Sequence, residues 1–191
     1  MQRVAIVGHS YVKHLREFVR DDIFTDDAFG LDNAEIQFFG VSGLTVRKLR
    51  LVEHRVRRFK PTTVVLILGD NDIENGVDPE ILTLRLVAAV AMLQKWAGMA
   101  KVIKLDVVPR FWVPTYKYFC PNYEQVALAL NTGFRDQVEE MEGIFAWSCR
   151  GLSFHDARGV NWGSDGVHLR IPGNSLLYQG IKKALQVFKN L

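Results

Sequence analysis

Cysteine is nearly absent from this sequence: Cys120 and Cys149 are the two present. Two cysteines without a secretory leader make no disulfide framework, and neither sits in a metal-ligand spacing. Both read as reduced thiols in a cytosolic or nuclear setting. Long hydrophobic runs are absent as well. No apolar stretch reaches the roughly 20 residues that a bilayer-spanning helix needs, and the N-terminus lacks the layout of a signal peptide. An excess of either sign of charge is nearly lacking, with a formal net charge of +3, too small to argue for nucleic acid by itself. There is no internal repeat, low-complexity segment or linker.

What is present is an ordinary globular composition: 191 residues, 48% hydrophobic and 24% charged. That length favours one domain, residues 1–191, with room for a full core. The start at Met1 fits either a whole small protein or a domain cut from a larger one.

Apolar runs alternate with helical patterns along the chain. The expected strands are Arg3–Val7, Ala34–Phe39, Thr63–Leu68, Lys101–Val108 and Ile144–Trp147. The expected helices are about Ser10–Arg20, Leu44–Phe59, Pro79–Ala97, Tyr123–Met141 and Pro172–Phe188, with the acidic, turn-rich Asp21–Asn33 as a surface loop. Asp78-Pro79-Glu80 reads as an N-cap, a proline at the first helical position and an acid in the first turn. Strands that alternate with helices in this way imply a parallel sheet with helices on both faces.

The helix expected over Leu44–Phe59 buries Leu49, Val52, Val56 and Phe59 at three- and four-residue steps. Its other face carries Arg47, Lys48, Arg50, Arg55, Arg57, Arg58 and Lys60 against a single acid, Glu53. Such a run is most simply a solvated face. The alternative is a patch near Arg47, Arg55 and Arg58 that touches a membrane surface or nucleic acid. Phe111–Tyr123, FWVPTYKYFCPNY, has no clean period. It reads as a packed irregular loop or as an apolar lid or substrate wall.

Three expected strands end in chemistry-bearing turns: Ser10 follows the first, Gly43 the second and Asn71 the third. Parallel strands place these on the carboxyl edge of the sheet, where open α/β folds bind ligands. Asp165 and His168 lie in the loop that leads to the last helix and reach the same rim. Taken alone, Ser10 is an N-cap, and Asp165 and His168 are a turn acid and a surface histidine. Together they are the parts of acyl transfer. A serine hydroxyl becomes a nucleophile when an imidazole takes its proton, and a carboxylate orients that imidazole. The N–H groups of Ser10 and Gly43 and the Asn71 amide can face a developing oxyanion. Loss of one such donor typically costs about 3–4 kcal/mol of barrier.

Gly8-His9-Ser10, Gly43, Gly69-Asp70-Asn71-Asp72 and Asp165-Gly166-Val167-His168-Leu169, followed by Pro172-Gly173-Asn174, resemble the blocks of the SGNH (GDSL-like) hydrolase superfamily. They stand in its order from residue 8 to residue 168. The resemblance implies a flavodoxin-like three-layer α/β/α sandwich with a five-stranded parallel sheet, and an esterase that needs no cofactor and no metal. It implies Ser10 as nucleophile, Ser10, Gly43 and Asn71 as oxyanion donors, His168 as base and Asp165 as its partner. The family usually has Asp where this chain has His9. That Asp is structural, and residues adjacent in a turn point apart, so His9 is not expected to be the base. VAIVGHSYVKHL and VVLILGDNDI also resemble SGNH domains carried by some retrotransposon open reading frames, where the esterase is one module of a larger protein.

The rival readings are a catalytically silent module that holds lipid or a protein partner, and a nucleotide-binding flavodoxin-like domain. Gly8-His9-Ser10 does not have the pattern of a phosphate-binding glycine loop, which disfavours the second. Asp70 and Asp72 lack the cluster that would complete a metal site, and Asp72 is expected to brace the Asn71 loop. His14 and His54 are expected to face solvent from helices; His155-Asp156 lies in the region of the active-edge loops, where it either supports the site from behind or, as a lone histidine more often is, is structural. The expected substrate is a small acyl or lipid ester, acetyl esters included. No obligate protein partner is evident.

Overall fold

The structure, a computed structural model, describes residues 1–111, 121–155 and 159–190. Most of the aromatic Phe111–Tyr123 segment, and Asp156, lie outside the described residues.

Among the described residues, five parallel strands form one sheet: β1 (Gln2–Gly8), β2 (Ala34–Gly40), β3 (Thr63–Ile67), β4 (Lys101–Leu105) and β5 (Ile144–Trp147). Their order is β2-β1-β3-β4-β5. All ladders are parallel, with Gly8 opposite both Gly40 and Ile67. The central strands read as unbroken apolar runs because both faces are covered. Val4, Ile6, Val64 and Val65 have no exposed surface, and full burial of such a side chain stabilises by roughly 1.5–3 kcal/mol.

The helices are α1 (Ser10–Asp21), α2 (Glu53–Phe59), α3 (Asp70–Glu74), α4 (Pro79–Trp96), α5 (Tyr123–Val138) and α6 (Ile171–Val187). Val4, Ile6, Val65, Ile67 and Ile103 pack with α1 and α6 on one face of the sheet. Ala5, Val7, Val64, Leu66 and Val102 pack with α2, α4 and α5 on the other. The result is the expected three-layer α/β/α arrangement. Among the described residues, no helix is long and apolar enough to cross a membrane.

Local boundaries differ from expectation in a few places. The helix expected over Leu44–Phe59 is a 3₁₀ segment, Val46–Val52, followed by the short α2. At its start the Val46 N–H donates to the Asp72 carboxylate. The cations of this segment are exposed as expected. Arg57 pairs with Glu53 at 2.8 Å, and the Arg55 guanidinium lies 5.5 Å from the Phe39 ring centroid. Gly69-Asp70-Asn71-Asp72, expected as a loop, opens the short helix α3, entered from Gly69 at φ +122°. Strand β4 stops at Leu105, where Asn131 of α5 bonds the Val107 N–H and carbonyl at 2.8 and 3.0 Å.

Candidate active site

The strand order reverses between β1 and β3, and doubly wound sheets open a crevice at such a point. Ser10 and Asn71 follow these two strands directly. Gly8 lets them come together. A Cβ there would collide with the Ile67 carbonyl and lie 2.9 Å from Val12 Cγ2. Ser10 is the first residue of α1, so its N–H is among those with no intrahelical acceptor.

His168 reaches Ser10 across the rim, with Nε2 3.1 Å from Oγ. On its other side, Nδ1 is 2.6 Å from Asp165 Oδ2. Asp165 Oδ1 accepts the N–H groups of Val167 and His168, both at 2.9 Å. Burial opposes ionisation of Asp165, but these hydrogen bonds outweigh it and hold its carboxyl below the usual value. A chain from hydroxyl to imidazole to carboxylate can move a proton off Ser10 and stabilise the resulting imidazolium.

The loop that carries Asp165 and His168 is fixed by several groups, of which sequence reasoning did not single out Tyr11 and Trp162. The Tyr11 hydroxyl, buried beneath Ser10, donates to the Val167 carbonyl at 2.6 Å. Trp162 and Leu169 form an antiparallel bridge. The Phe111 N–H donates to the Gly166 carbonyl at 2.8 Å, and Asn174 Nδ2 donates to the Leu169 carbonyl at 3.0 Å.

Asn71 is held from both ends. Its Nδ2 donates to the Leu44 carbonyl at 2.9 Å, and its Oδ1 accepts from Arg110 at 3.1 Å. An amide nitrogen has two hydrogens, so one remains for a ligand. Arg110 also pairs with Glu74, and both side chains are nearly buried. A lone arginine just past the β4 apolar run was the available signal, and it was missed. Gly43 lies in the neighbouring turn with φ +68°, and a Cβ there would point into open space. Its requirement is therefore conformational. Asp72 does more than brace its own loop: through Val46 it ties the Gly43 turn to α3. Burial pushes the Asp72 carboxyl up to about 6, against the Val46 hydrogen bond and with help from nearby Asp70.

His9 turns away from Ser10, as expected for an adjacent residue. It is fully buried, with Nε2 2.9 Å from Asp70 Oδ2. Burial favours the protonated acid, but His9, Arg110 and Lys104 outweigh it and hold Asp70 well below the usual carboxylate range. His54 is exposed as expected. The expectation for His14 is corrected. It lies one turn after Ser10 on α1, and its ring centroid sits 4.8 Å from that of His168. Burial first, then the neighbouring His168, lowers its pKa. The helical spacing that puts His14 and Ser10 on one face was readable, but the position of His168 was not.

The model of the GDSL-like lipase/acylhydrolase family matches residues 19–176, a span that begins after Ser10. A GDSL-like lipase from Bacteroides thetaiotaomicron superposes with a TM-score of 0.75 at 22% identity, covering 97% of this chain and 88% of that one. A carbohydrate acetylesterase family member from Sinorhizobium meliloti gives 0.73 at 16% identity, over 100% of both chains. The Mycobacterium smegmatis aryl esterase gives 0.72 at 16%, over 98% and 99%. At these identities the likeness carries the fold alone. Comparison with the curated proteins finds no match.

Proposed function

Since the chain belongs to the GDSL-like lipase/acylhydrolase family, we propose that it is a serine carboxylic ester hydrolase acting through an acyl-enzyme on Ser10. The carrying observation is the unbroken chain from Ser10 Oγ to His168 to Asp165, at 3.1 and 2.6 Å. In this reading His168 takes the hydroxyl proton as Oγ attacks the ester carbon, then gives it to the departing alcohol. Water repeats the cycle in reverse and releases the acid. The N–H groups of Ser10 and Gly43 and the free hydrogen of Asn71 Nδ2 receive the oxyanion. Asp165 keeps the imidazole in the tautomer whose Nε2 is open to Ser10.

The proposed substrates are small acyl or lipid esters, acetyl esters among them, with no cofactor in any step. The segments that resemble retrotransposon esterase domains support a place for this domain as a module of a larger protein. The exposed cations near Arg47, Arg55 and Arg58 support contact between that face and polyanions or acidic membranes.

The test is hydrolysis of p-nitrophenyl esters of increasing acyl length, with Ser10→Ala and His168→Ala alongside. Turnover that falls by orders of magnitude in both folded variants supports the reading. A wild type no faster than Ser10→Ala on every ester overturns it and favours the silent module that binds lipid or a protein partner.

A further inference from the structure

An open groove of about 900 Å³ lies between the α1 side and the start of α6, next to Leu169, the residue that follows His168. Its apolar walls are Phe18, Ile23 and Phe24 from the end of α1 and the turn after it, and Leu169, Ile171 and Pro172 from the approach to α6. His14 stands at the boundary. It lines the groove and also packs on the His168 ring. Ile23, Phe24 and Ile171 are 88%, 89% and 72% exposed. Large side chains left in water together mark a binding surface more often than chance placement.

The groove's place relative to the reacting atoms decides what enters it. In acyl transfer the imidazole protonates the leaving oxygen, so that oxygen must come within hydrogen-bond reach of Nε2. The proposed oxyanion donors Gly43 and Asn71 come from the turns after β2 and β3, whereas the groove opens beyond His14, whose ring packs on the other side against that of His168. With the oxyanion donors on the other side of the imidazole, a group entering this groove from the ester would be joined through the alcohol oxygen that His168 protonates. Charged groups in the lining are Glu17, Asp21, Asp22 and Arg170. Arg20 pairs with Asp21 at 2.7 Å. The balance of this set offers no cationic cradle for a phosphate.

We infer that this groove is the alcohol subsite of the enzyme, selecting esters whose alcohol portion is apolar and carries no anionic group. The inference rests on the esterase reading above. It makes the alcohol, rather than the acyl group, the part of the substrate that this face recognises. The acid is released from the acyl-enzyme after the alcohol has left, so the groove acts on acylation alone.

The experiment holds the acyl group at acetyl and lengthens the alcohol: ethyl, butyl and hexyl acetate, each below its solubility limit. Released acid is titrated at constant pH. The expected result is a kcat/KM that rises about tenfold or more from ethyl to hexyl acetate, since each buried methylene is worth at most about fourfold. Phe24→Ser with Ile171→Ser should cut the hexyl-to-ethyl ratio at least about fivefold. Both side chains are exposed, so folding is not at stake. Leu84→Ser, an exposed leucine on α4 across the sheet, should leave the ratio unchanged.

Ser10-dependent hydrolysis with a flat alcohol profile, or a ratio untouched by the double variant, overturns the subsite and leaves the esterase standing. Loss of the ratio in Leu84→Ser as well overturns it too, because the effect would then be unspecific. No Ser10-dependent hydrolysis of any acetate or p-nitrophenyl ester overturns both.

Discussion

His9 and Asp70 meet across the point where the strand order reverses, His9 Nε2 lying 2.9 Å from Asp70 Oδ2 with both side chains shut off from solvent. Each residue immediately precedes one proposed to act on the ester, Ser10 and Asn71. Removal of one partner of a buried pair typically costs about 3–5 kcal/mol, because the other charge is left uncompensated. His9→Asp, which installs the residue usual in related sequences, places a second carboxylate against Asp70. We expect it to destabilise the fold by at least about 3 kcal/mol in urea unfolding at pH 7, with part of the loss recovered in His9→Asp/Asp70→Asn. A His9→Asp protein as stable as wild type would show that the pair is not what holds this junction. Asp70 titrates lower in the folded chain than in the unfolded one. Its contribution is therefore present above the unfolded value and is lost as pH falls below it.

Asp72 behaves in the opposite sense. Its carboxyl rises from 3.8 to about 6 on folding, chiefly by burial. The stability that its protonated form contributes is present below 3.8 and is lost as pH rises through about 6. Asn in its place can still accept the Val46 N–H without the buried charge. The stability of wild type relative to Asp72→Asn should fall between pH 4 and pH 7, read as the difference in Tm. A constant difference would mean that Asp72 does not change its ionisation in that range.

Arg110 should act on turnover through Asn71. Asn71→Ala is expected to lower kcat by about 10²–10³-fold, as for other lost oxyanion donors. Arg110→Lys keeps a charge but not the planar fork that reaches both Asn71 and Glu74. It should lower kcat by about tenfold with KM little changed, and should have a much smaller effect in an Asn71→Ala background. Equal losses in both backgrounds would separate Arg110 from Asn71.

Asp165→Asn should retain the loop, because an amide oxygen can still accept the Val167 and His168 N–H groups. It can also stabilise the wrong imidazole tautomer, with Nε2 protonated toward Ser10. We expect kcat to fall by up to about 10⁴-fold with little change in Tm. Near-normal turnover would remove Asp165 from the mechanism.

Gly8→Ala tests the close approach of β1 and β3. Its added methyl meets the Ile67 carbonyl, which is backbone of a central strand and cannot swing aside. A loss of at least about 2 kcal/mol is expected, together with lower activity because Ser10 is displaced. Gly43→Ala meets no atom and should cost only the left-handed backbone strain, about 1–2 kcal/mol. If the two variants were equally stable, steric contact at Gly8 would not be the constraint.

The strands and their parallel order were legible in Val4–Val7, Val64–Leu68 and Val102–Ile103, because strands covered on both faces have no polar face to alternate with. The gathering of Ser10, Gly43, Asn71, Asp165 and His168 at one edge followed from that order, since every loop after a parallel strand leaves from the same side. The 3₁₀ winding over Val46–Val52 and the helix at Asp70–Glu74 were not legible. Asp72 joins the two segments through Val46, 26 residues away, a contact that periodicity does not encode.

By itself, then, the sequence determined the layer architecture and the edge that carries the reactive groups, through local hydrophobic runs and the one-sidedness of parallel connections. Only the tertiary structure decided the partners: His9 with Asp70, Arg110 with Asn71, Tyr11 with the His168 loop, and His14 against the His168 ring. These contacts join residues far apart in the chain. Their distances depend on how the two helical layers pack on the sheet, and side-chain packing in three dimensions is not a function of spacing along one.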